Sequence, residues 1–264
     1  MEIPFAKMHG AANDFVVIDH RRTRLEPTKE WVAKLCDRRR GVGADGLLLL
    51  EEDPDADFAM RYYNSDGGEA DWCGNGARCI ARFAFALGLG KDGRVRFRTA
   101  IGPQEAQDLG PVIALEFGHV HDLPEPVELA AAGNRFRGRL VLAGVPHFVT
   151  WVDRVGDVPV AEWGRLLRHA PELGAAGANV DFIERLDRGI AMRTYERGVE
   201  GETLACGSGA IASAITAHLE GLTAPVTVRT RGGDDLVVGL EKNGDGWRVR
   251  LTGPAEFAFH GTLS

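Results

Sequence analysis

Cysteine is scarce in this chain. There are four in 264 residues, Cys36, Cys73, Cys79 and Cys206, and none forms a C-x2-C pair. That spacing excludes the common zinc ribbons and fingers, and the eight histidines show neither H-x3-H nor HExxH. Long apolar runs are missing too. Leu47–Leu50 is only four residues long, against the ~20 that a membrane helix needs. The opening MEIPFAKMHG has neither the basic nor the apolar region of a secretion signal, so a cytoplasmic, thiol-reducing location is expected. Basic charge is not in excess. The net charge is −7, which argues against a general nucleic-acid binder, and Arg38-Arg39-Arg40 reads as a solvated face. Gly41-Val42-Gly43-Ala44-Asp45-Gly46 is glycine-rich, but no GK[ST] follows and it leads into a strand rather than a helix. A nucleotide phosphate loop is therefore not expected there.

What is present is a repeat. Cys73-Gly74-Asn75-Gly76-Ala77 returns as Cys206-Gly207-Ser208-Gly209-Ala210. Laid together without a gap, Cys73–Leu89 and Cys206–Leu222 agree at eight of seventeen positions. Upstream, Met60-Arg61-Tyr62-Tyr63 matches Met192-Arg193-Thr194-Tyr195. Asn64 or Glu196 then follows, nine or ten residues before the cysteine. With 44% apolar and 26% charged residues, the chain has the composition of a globular protein. Its length and repeat favour two domains, with no low-complexity linker. We place the boundaries at 1–117 and 118–251, with 252–264 returning to the first domain.

Hydrophobic periodicity predicts strands at Phe15–Asp19, Leu47–Leu50, Phe58–Tyr63, Arg94–Thr99 and Val112–Phe117 in the first half. In the second half it predicts them at Phe148–Val152, Asn179–Ile183, Gly189–Tyr195, Val226–Thr230, Asp235–Leu240 and Trp247–Thr252. Helices are predicted at Thr28–Asp37, Gly76–Leu87, Val160–His169 and after Cys206. Lys7–Asp19 starts with a polar, glycine-containing turn and enters its strand at Phe15. The pattern is α+β, duplicated.

A cysteine just before a helix start faces unpaired backbone N–H groups and the positive end of the helix dipole, which lower a thiol's pKa. The same N–H groups form a carboxylate site, and flanking glycines let a ligand come close. Two such copies related by a pseudo-two-fold would put one thiol on each side of a substrate carbon, as inversion of a C–H stereocentre requires. Other readings stay open. A free cysteine is usually a small buried hydrophobe, and Cys36 and Cys79 are read that way. A structural disulfide fits a reducing compartment poorly. A Cys–His hydrolase using His147 leaves the second matched cysteine unexplained.

With these residues in view the sequence resembles the diaminopimelate epimerases over nearly its whole length. The resemblance rests on Met8-His9-Gly10 with Asn13-Asp14-Phe15, Arg40 to Gly46, Asn64-Ser65-Asp66-Gly67, Cys73 to Arg78, Pro146-His147, Asn179-Val180-Asp181-Phe182, and Glu196-Arg197-Gly198 with Cys206 to Gly209. It implies two pseudo-symmetric α+β domains, each a mostly antiparallel sheet wrapped around a central helix. It also implies that Cys73 and Cys206 are the acid–base thiols, assisted by His147 and Glu196. Substrate would be held by Asn13, Asn64, Asn179 and Arg197, by the backbone N–H groups of Gly74-Asn75 and Gly207-Ser208, and by Glu196. The family further implies a cytoplasmic homodimer acting on a small amino acid without metal or pyridoxal phosphate. Three positions depart from its pattern. Val145 stands where an asparagine is frequent, Gly46 where a glutamine is, and Phe259 where some members place a dimer-contact tyrosine. The first two leave room for a related substrate, so a same-fold racemase of another amino acid and a non-catalytic amino-acid-binding relative remain the alternatives.

Overall fold

The computed structural model describes residues 2–21, 23, 25–70, 72–121 and 126–263. Its contacts divide the chain into two compact units, one running up to Glu116 with the chain from Gly253 on, the other covering Phe117–Thr252. In chain order the first half holds β1 (Ile3–Gly10), β2 (Asn13–Asp19), α1 (Lys29–Cys36), β3 (Gly46–Glu51), β4 (Phe58–Asn64), β5 (Glu69–Ala70), α2 (Gly74–Ala86), β6 (Arg94–Thr99), β7 (Gly102–Asp108) and β8 (Val112–His121). The second holds β9 (Val127–Ala131), β10 (Asn134–Ala143), β11 (Val145–Trp151), α3 (Val160–Arg168), β12 (Asn179–Arg185), β13 (Ile190–Glu196), β14 (Gly201–Thr203), α4 (Gly207–Leu219), β15 (Val226–Arg229), β16 (Asp235–Asn243), β17 (Gly246–Pro254) and β18 (Glu256–Leu263).

The pairing series is the same in both units. In the first, β18, β1 and β2 are antiparallel, β2 runs parallel to β3, β3 antiparallel to β4, and β4 parallel to β6. In the second, β9, β10 and β11 are antiparallel, β11 runs parallel to β12, β12 antiparallel to β13, and β13 parallel to β15. Mostly antiparallel ladders with one long helix per unit give the α+β, two-copy fold that the repeat predicts.

Strand alternation explains the layers. In β3, Leu47 and Leu49 pack with α1, while Leu48 and Leu50 pack with α2. In β12, Val180 and Phe182 pack with α3 in the same way. Asn179 and Asp181 therefore turn to the other face, toward α4. Both central helices are rich in small residues, which lets sheet strands approach closely. Every residue of α4 from Gly207 to Ala217 is buried. A helix apolar all round draws its stability from burial rather than propensity, at about 25 cal/mol per Å² of apolar surface removed from water.

One turn is corrected. Lys7–Gly10 belongs to β1, not to a loop, because Lys7 is buried with its ammonium on an Asp14 carboxylate oxygen and the Gly43 carbonyl. The lysine disguises a core strand. The helix after Cys73 also starts earlier than its apolar period suggests, at Gly74.

Candidate active site

Each cysteine of the repeat is the N-cap of its helix. Cys73 is extended (φ −147°, ψ 118°) and its Sγ accepts the Gly76 N–H at 3.5 Å. Cys206 is extended (φ −126°, ψ 115°) and its Sγ accepts the Gly209 N–H at 3.4 Å. The sulfur thus stands where a serine or aspartate oxygen usually caps a helix. The first-turn N–H groups of Gly74-Asn75 and Gly207-Ser208 precede the first intrahelical donors, Ala77 and Ala210, whose N–H groups go to the Cys73 and Cys206 carbonyls at 2.8 and 2.9 Å. Cys36 and Cys79 lie in the core, where burial pushes their thiols up to about 11 and about 12. Both positions agree with the core reading that their lack of repeat partners suggests.

Around Cys73, the Asn13 Oδ1 accepts from the thiol at 3.6 Å and from Asn75 Nδ2 at 3.2 Å. The Asn13 amide is held by Asp45, whose Oδ2 accepts Asn13 Nδ2 at 2.7 Å. Arg38 bridges Asp45 and Asp14, so the glycine-rich loop serves to fix Asn13. The ion pairs with Arg38 and Lys7 outweigh burial and hold Asp14 well below the usual carboxylate range. Arg78, fully buried, donates to Asn75 Oδ1 at 2.7 Å and to the Gly74 carbonyl. Sequence reading did not single it out. Asn64 sits exposed at the end of β4 with its Oδ1 accepting from Tyr62 OH at 2.7 Å. A Cβ on Gly46 would lie 2.5 Å from the Tyr63 carbonyl and 2.7 Å from the Tyr62 ring, so this backbone has no room for the family's glutamine.

Around Cys206 the groups are buried and ionisable. Glu196 accepts from Thr203 Oγ1, and its carboxylate stands within reach of the Cys206 thiol. Burial, the largest effect on it, raises its pKa above the ordinary carboxylate value. Ser208 Oγ lies 3.4 Å from Cys206 Sγ and 3.0 Å from His147 Nε2. His147 Nδ1 meets Asp181 Oδ2 at 2.7 Å, and Asp181 Oδ1 accepts from Thr194 Oγ1 at 2.7 Å. Asn179 Nδ2 lies 3.2 Å from His147 Nε2, while its Oδ1 accepts the Arg197 N–H at 2.7 Å. His147 and Asp181 are both 0% exposed. A buried carboxylate without such partners would cost several kcal/mol.

The expectation of a lowered thiol pKa fails at Cys206. Burial, then the Glu196 and Asp181 carboxylates, push it well above the ordinary thiol range, and its hydrogen bonds with Ser208 and the Gly209 N–H only partly oppose them. At rest this thiol is a proton donor. For the hydrolase alternative, His147 meets Cys206 through Ser208 rather than directly.

Among the described residues, one grouping has metal-ligand spacing: His119, His121 and Asp245 on β8 and the β16–β17 turn. All three are exposed, the two rings lie 3.3 and 3.1 Å from the Asp245 carboxylate, and neither repeat cysteine belongs to the group. No helix among the described residues is long and apolar enough to cross a membrane.

Comparison with known proteins agrees with the motifs. The family model described as diaminopimelate epimerase matches residues 5–111 and 139–258. The diaminopimelate epimerase of Aquifex aeolicus is 40% identical over 275 residues, covering 98% of this chain and 97% of its own. That of Laribacter hongkongensis is 40% identical over all of both chains. Solved structures share the fold at lower identity. A phenazine biosynthesis PhzF-family protein of Enterococcus faecalis has a TM-score of 0.72 at 18% identity, covering 100% of both chains. A hydroxyproline epimerase of Agrobacterium vitis has a TM-score of 0.70 at 19% identity, covering 99% of this chain and 92% of its own.

Proposed function

The chain belongs to the diaminopimelate epimerase family, and from that membership we propose that it interconverts LL- and meso-diaminopimelate by two-base proton transfer through Cys73 and Cys206. It is an isomerase of lysine biosynthesis. The observation that carries the mechanism is the duplicated cap, a thiol at the mouth of each central helix with its sulfur on the third N–H. Cys206, kept protonated by burial and two carboxylates, supplies a proton to one face of the α-carbon. Cys73, half-buried with the Gly76 N–H donated to its sulfur, removes one from the other as its thiolate and becomes the thiol. The first-turn N–H groups hold the reacting carboxylate, whose electrons take up the charge of the carbanion. Glu196 and His147 assist Cys206. Asn13, Asn64, Asn179, Glu196 and Arg197 grip substrate. No step calls for a metal or pyridoxal phosphate.

The test is purified protein with LL-diaminopimelate in deuterated water, followed by NMR. One α-deuterium in a meso product is expected. Proline, histidine and glutamate run in parallel test the same-fold racemase reading. Binding without exchange would support the non-catalytic relative.

Arg197 is proposed to dock the distal carboxylate through paired charged hydrogen bonds, a planar fork that lysine cannot copy. Such bonds are worth about 1.5–3 kcal/mol, so Arg197→Lys is expected to lower kcat/KM by roughly 10- to 100-fold. An unchanged kcat/KM would place the distal grip elsewhere.

The homodimer belongs to the same proposal. Phe259, 49% exposed on β18, stands on a strand that pairs only with β1 among the described pairings. Sedimentation at twice the chain mass is expected.

A further inference from the structure

The two copies differ most at their deepest point. Strand register aligns them residue by residue. Phe15 pairs with Gly46 as His147 pairs with Asn179, and Leu48 pairs with Tyr62 as Asp181 pairs with Thr194. The helix glycines agree with that alignment. A Cβ on Gly76 would meet Leu48 at 3.2 Å and Phe15 at 3.5 Å, while one on Gly209 would meet Asp181 Oδ1 at 2.7 Å. Beneath its helix start the first copy therefore places Phe15, Leu48 and Tyr62. The second places His147, Asp181 and Thr194 at the same three positions. The fold needs neither a buried carboxylate nor an imidazole there, since the first copy has Leu48 and Phe15 at those positions. Burying a carboxylate and an imidazole is unfavourable unless both are paired, so their presence in one copy alone points to chemistry.

The hydrogen-bond network fixes the protons. The Arg197 backbone N–H can only donate, so it fixes Asn179 Oδ1 as the acceptor and turns Nδ2 toward His147. His147 Nδ1 lies 2.7 Å from the Asp181 carboxylate, which accepts, so the ring proton sits on Nδ1 and Nε2 offers its single lone pair. Ser208 Oγ, at 3.0 Å the nearer of the two groups at Nε2, donates its proton there, with Asn179 Nδ2 standing off at 3.2 Å, and its oxygen is left to accept from the Cys206 thiol.

We propose that Asp181 is the positioning residue of a proton relay, Cys206 to Ser208 to His147, which lets the second thiol release and regain its proton inside the protein. The relay rests on the epimerase reading and deepens it. In the forward step the Cys206 S–H bond breaks and Ser208 Oγ takes that proton, while the Ser208 proton passes to His147 Nε2. A thiol and a neutral imidazole become a thiolate and an imidazolium, with net charge conserved and the Asp181 carboxylate against the new cation. Cys206 can then act as base for the isomer that presents its proton to that side. Reversal restores the acid. Glu196, whose carboxylate also stands within reach of the Cys206 thiol, is the rival route.

The test uses the full chain. In wild type, 15N–1H correlation of the His147 ring is expected to show Nδ1–H. Asp181→Asn presents an amide that can instead donate to Nδ1, so the proton should move to Nε2, the tautomer that cannot receive from Ser208. Asp181→Asn and Ser208→Ala are each expected to lower kcat about 100-fold with KM nearly unchanged, and the double variant no further than either single. An Nε2–H tautomer in wild type overturns the proposal. So does a double variant whose losses multiply, or a folded Asp181→Asn that keeps wild-type kcat. If Asp181→Asn does not fold, His147→Gln with Ser208→Ala runs the same cycle. The ring tautomer is read without substrate, so it decides the role of Asp181 even if diaminopimelate proves not to be turned over.

Discussion

Cys73→Ser and Cys206→Ser are each expected to lose epimerisation while still binding substrate, and to fail differently. A hydroxyl is a far weaker acid than a thiol, so serine is a poor base at neutral pH, and removing a positioned acid–base group typically costs ~10²–10⁴-fold in rate. Binding survives because serine caps a helix well and the first-turn N–H groups stay in place. The difference comes from the surroundings. Cys73 is half-buried beside amides, whereas Cys206 is buried beside Glu196 and Ser208. Each variant keeps one thiol, so each is expected to exchange the α-proton of only the isomer that presents it to that thiol. The measurement is deuterium incorporation and epimerisation from both LL and meso substrate for both variants. Full epimerisation by either would falsify the two-base mechanism.

The matched helix-capping places of Cys73 and Cys206 were legible in the sequence because duplication singles them out. A lone Cys-Gly says little, but two at equivalent places before two helices leave few structural explanations. Elements with clean periodicity were legible for the same reason, as with Leu47–Leu50 inside β3 and Val226–Thr230 around β15. Several strands were not. β7 reads Gly-Pro-Gln-Glu-Ala-Gln-Asp and buries only Gln104 and Ala106, so it offers no apolar alternation. β18 is largely exposed and is a strand because β1 pairs with it, a partner some 250 residues away in sequence. Local pattern cannot report a distant partner.

The buried polar groups were hidden by a similar logic. Asp181 lies in Asn-Val-Asp-Phe-Ile, which reads as a half-exposed strand with polar residues outward. In fact both faces of β12 are covered, one by α3 and one by α4, so the polar set faces the interior. Arg78 follows the thiol motif in the same way, on a helix whose polar side is turned into the protein. Aligning the strands of the two copies, and not only their cysteine loops, would have set Leu48 against Asp181 and flagged the substitution of an apolar residue by a charged one.

That substitution sets the expected contrast between Gly76→Ala and Gly209→Ala. The two glycines occupy the same helix position, and each donates its N–H to its cysteine sulfur. A methyl on Gly76 meets the ends of Leu48, Met60 and Phe15 at 3.2–3.5 Å, flexible apolar groups that can yield by a few tenths of an ångström. Replacing a helical glycine by alanine also favours the helix by roughly 0.5–1 kcal/mol. Gly76→Ala is therefore expected to stay close to wild type in thermal stability. A methyl on Gly209 meets Asp181 Oδ1 at 2.7 Å and the Asp181 carboxyl carbon at 3.3 Å. That carboxylate is tied on one oxygen to Thr194 and on the other to His147, so it cannot move without releasing one of them. Overpacking a core costs typically 1–3 kcal/mol, and a displaced buried carboxylate adds to it. Gly209→Ala is expected to lower the unfolding free energy by about 2–3 kcal/mol and kcat by at least 10-fold. Denaturant unfolding and steady-state kinetics on both variants measure the contrast. Equal stability and equal turnover would mean that Asp181 has slack, and that the polar set beneath the second helix is not held as tightly as its hydrogen bonds indicate.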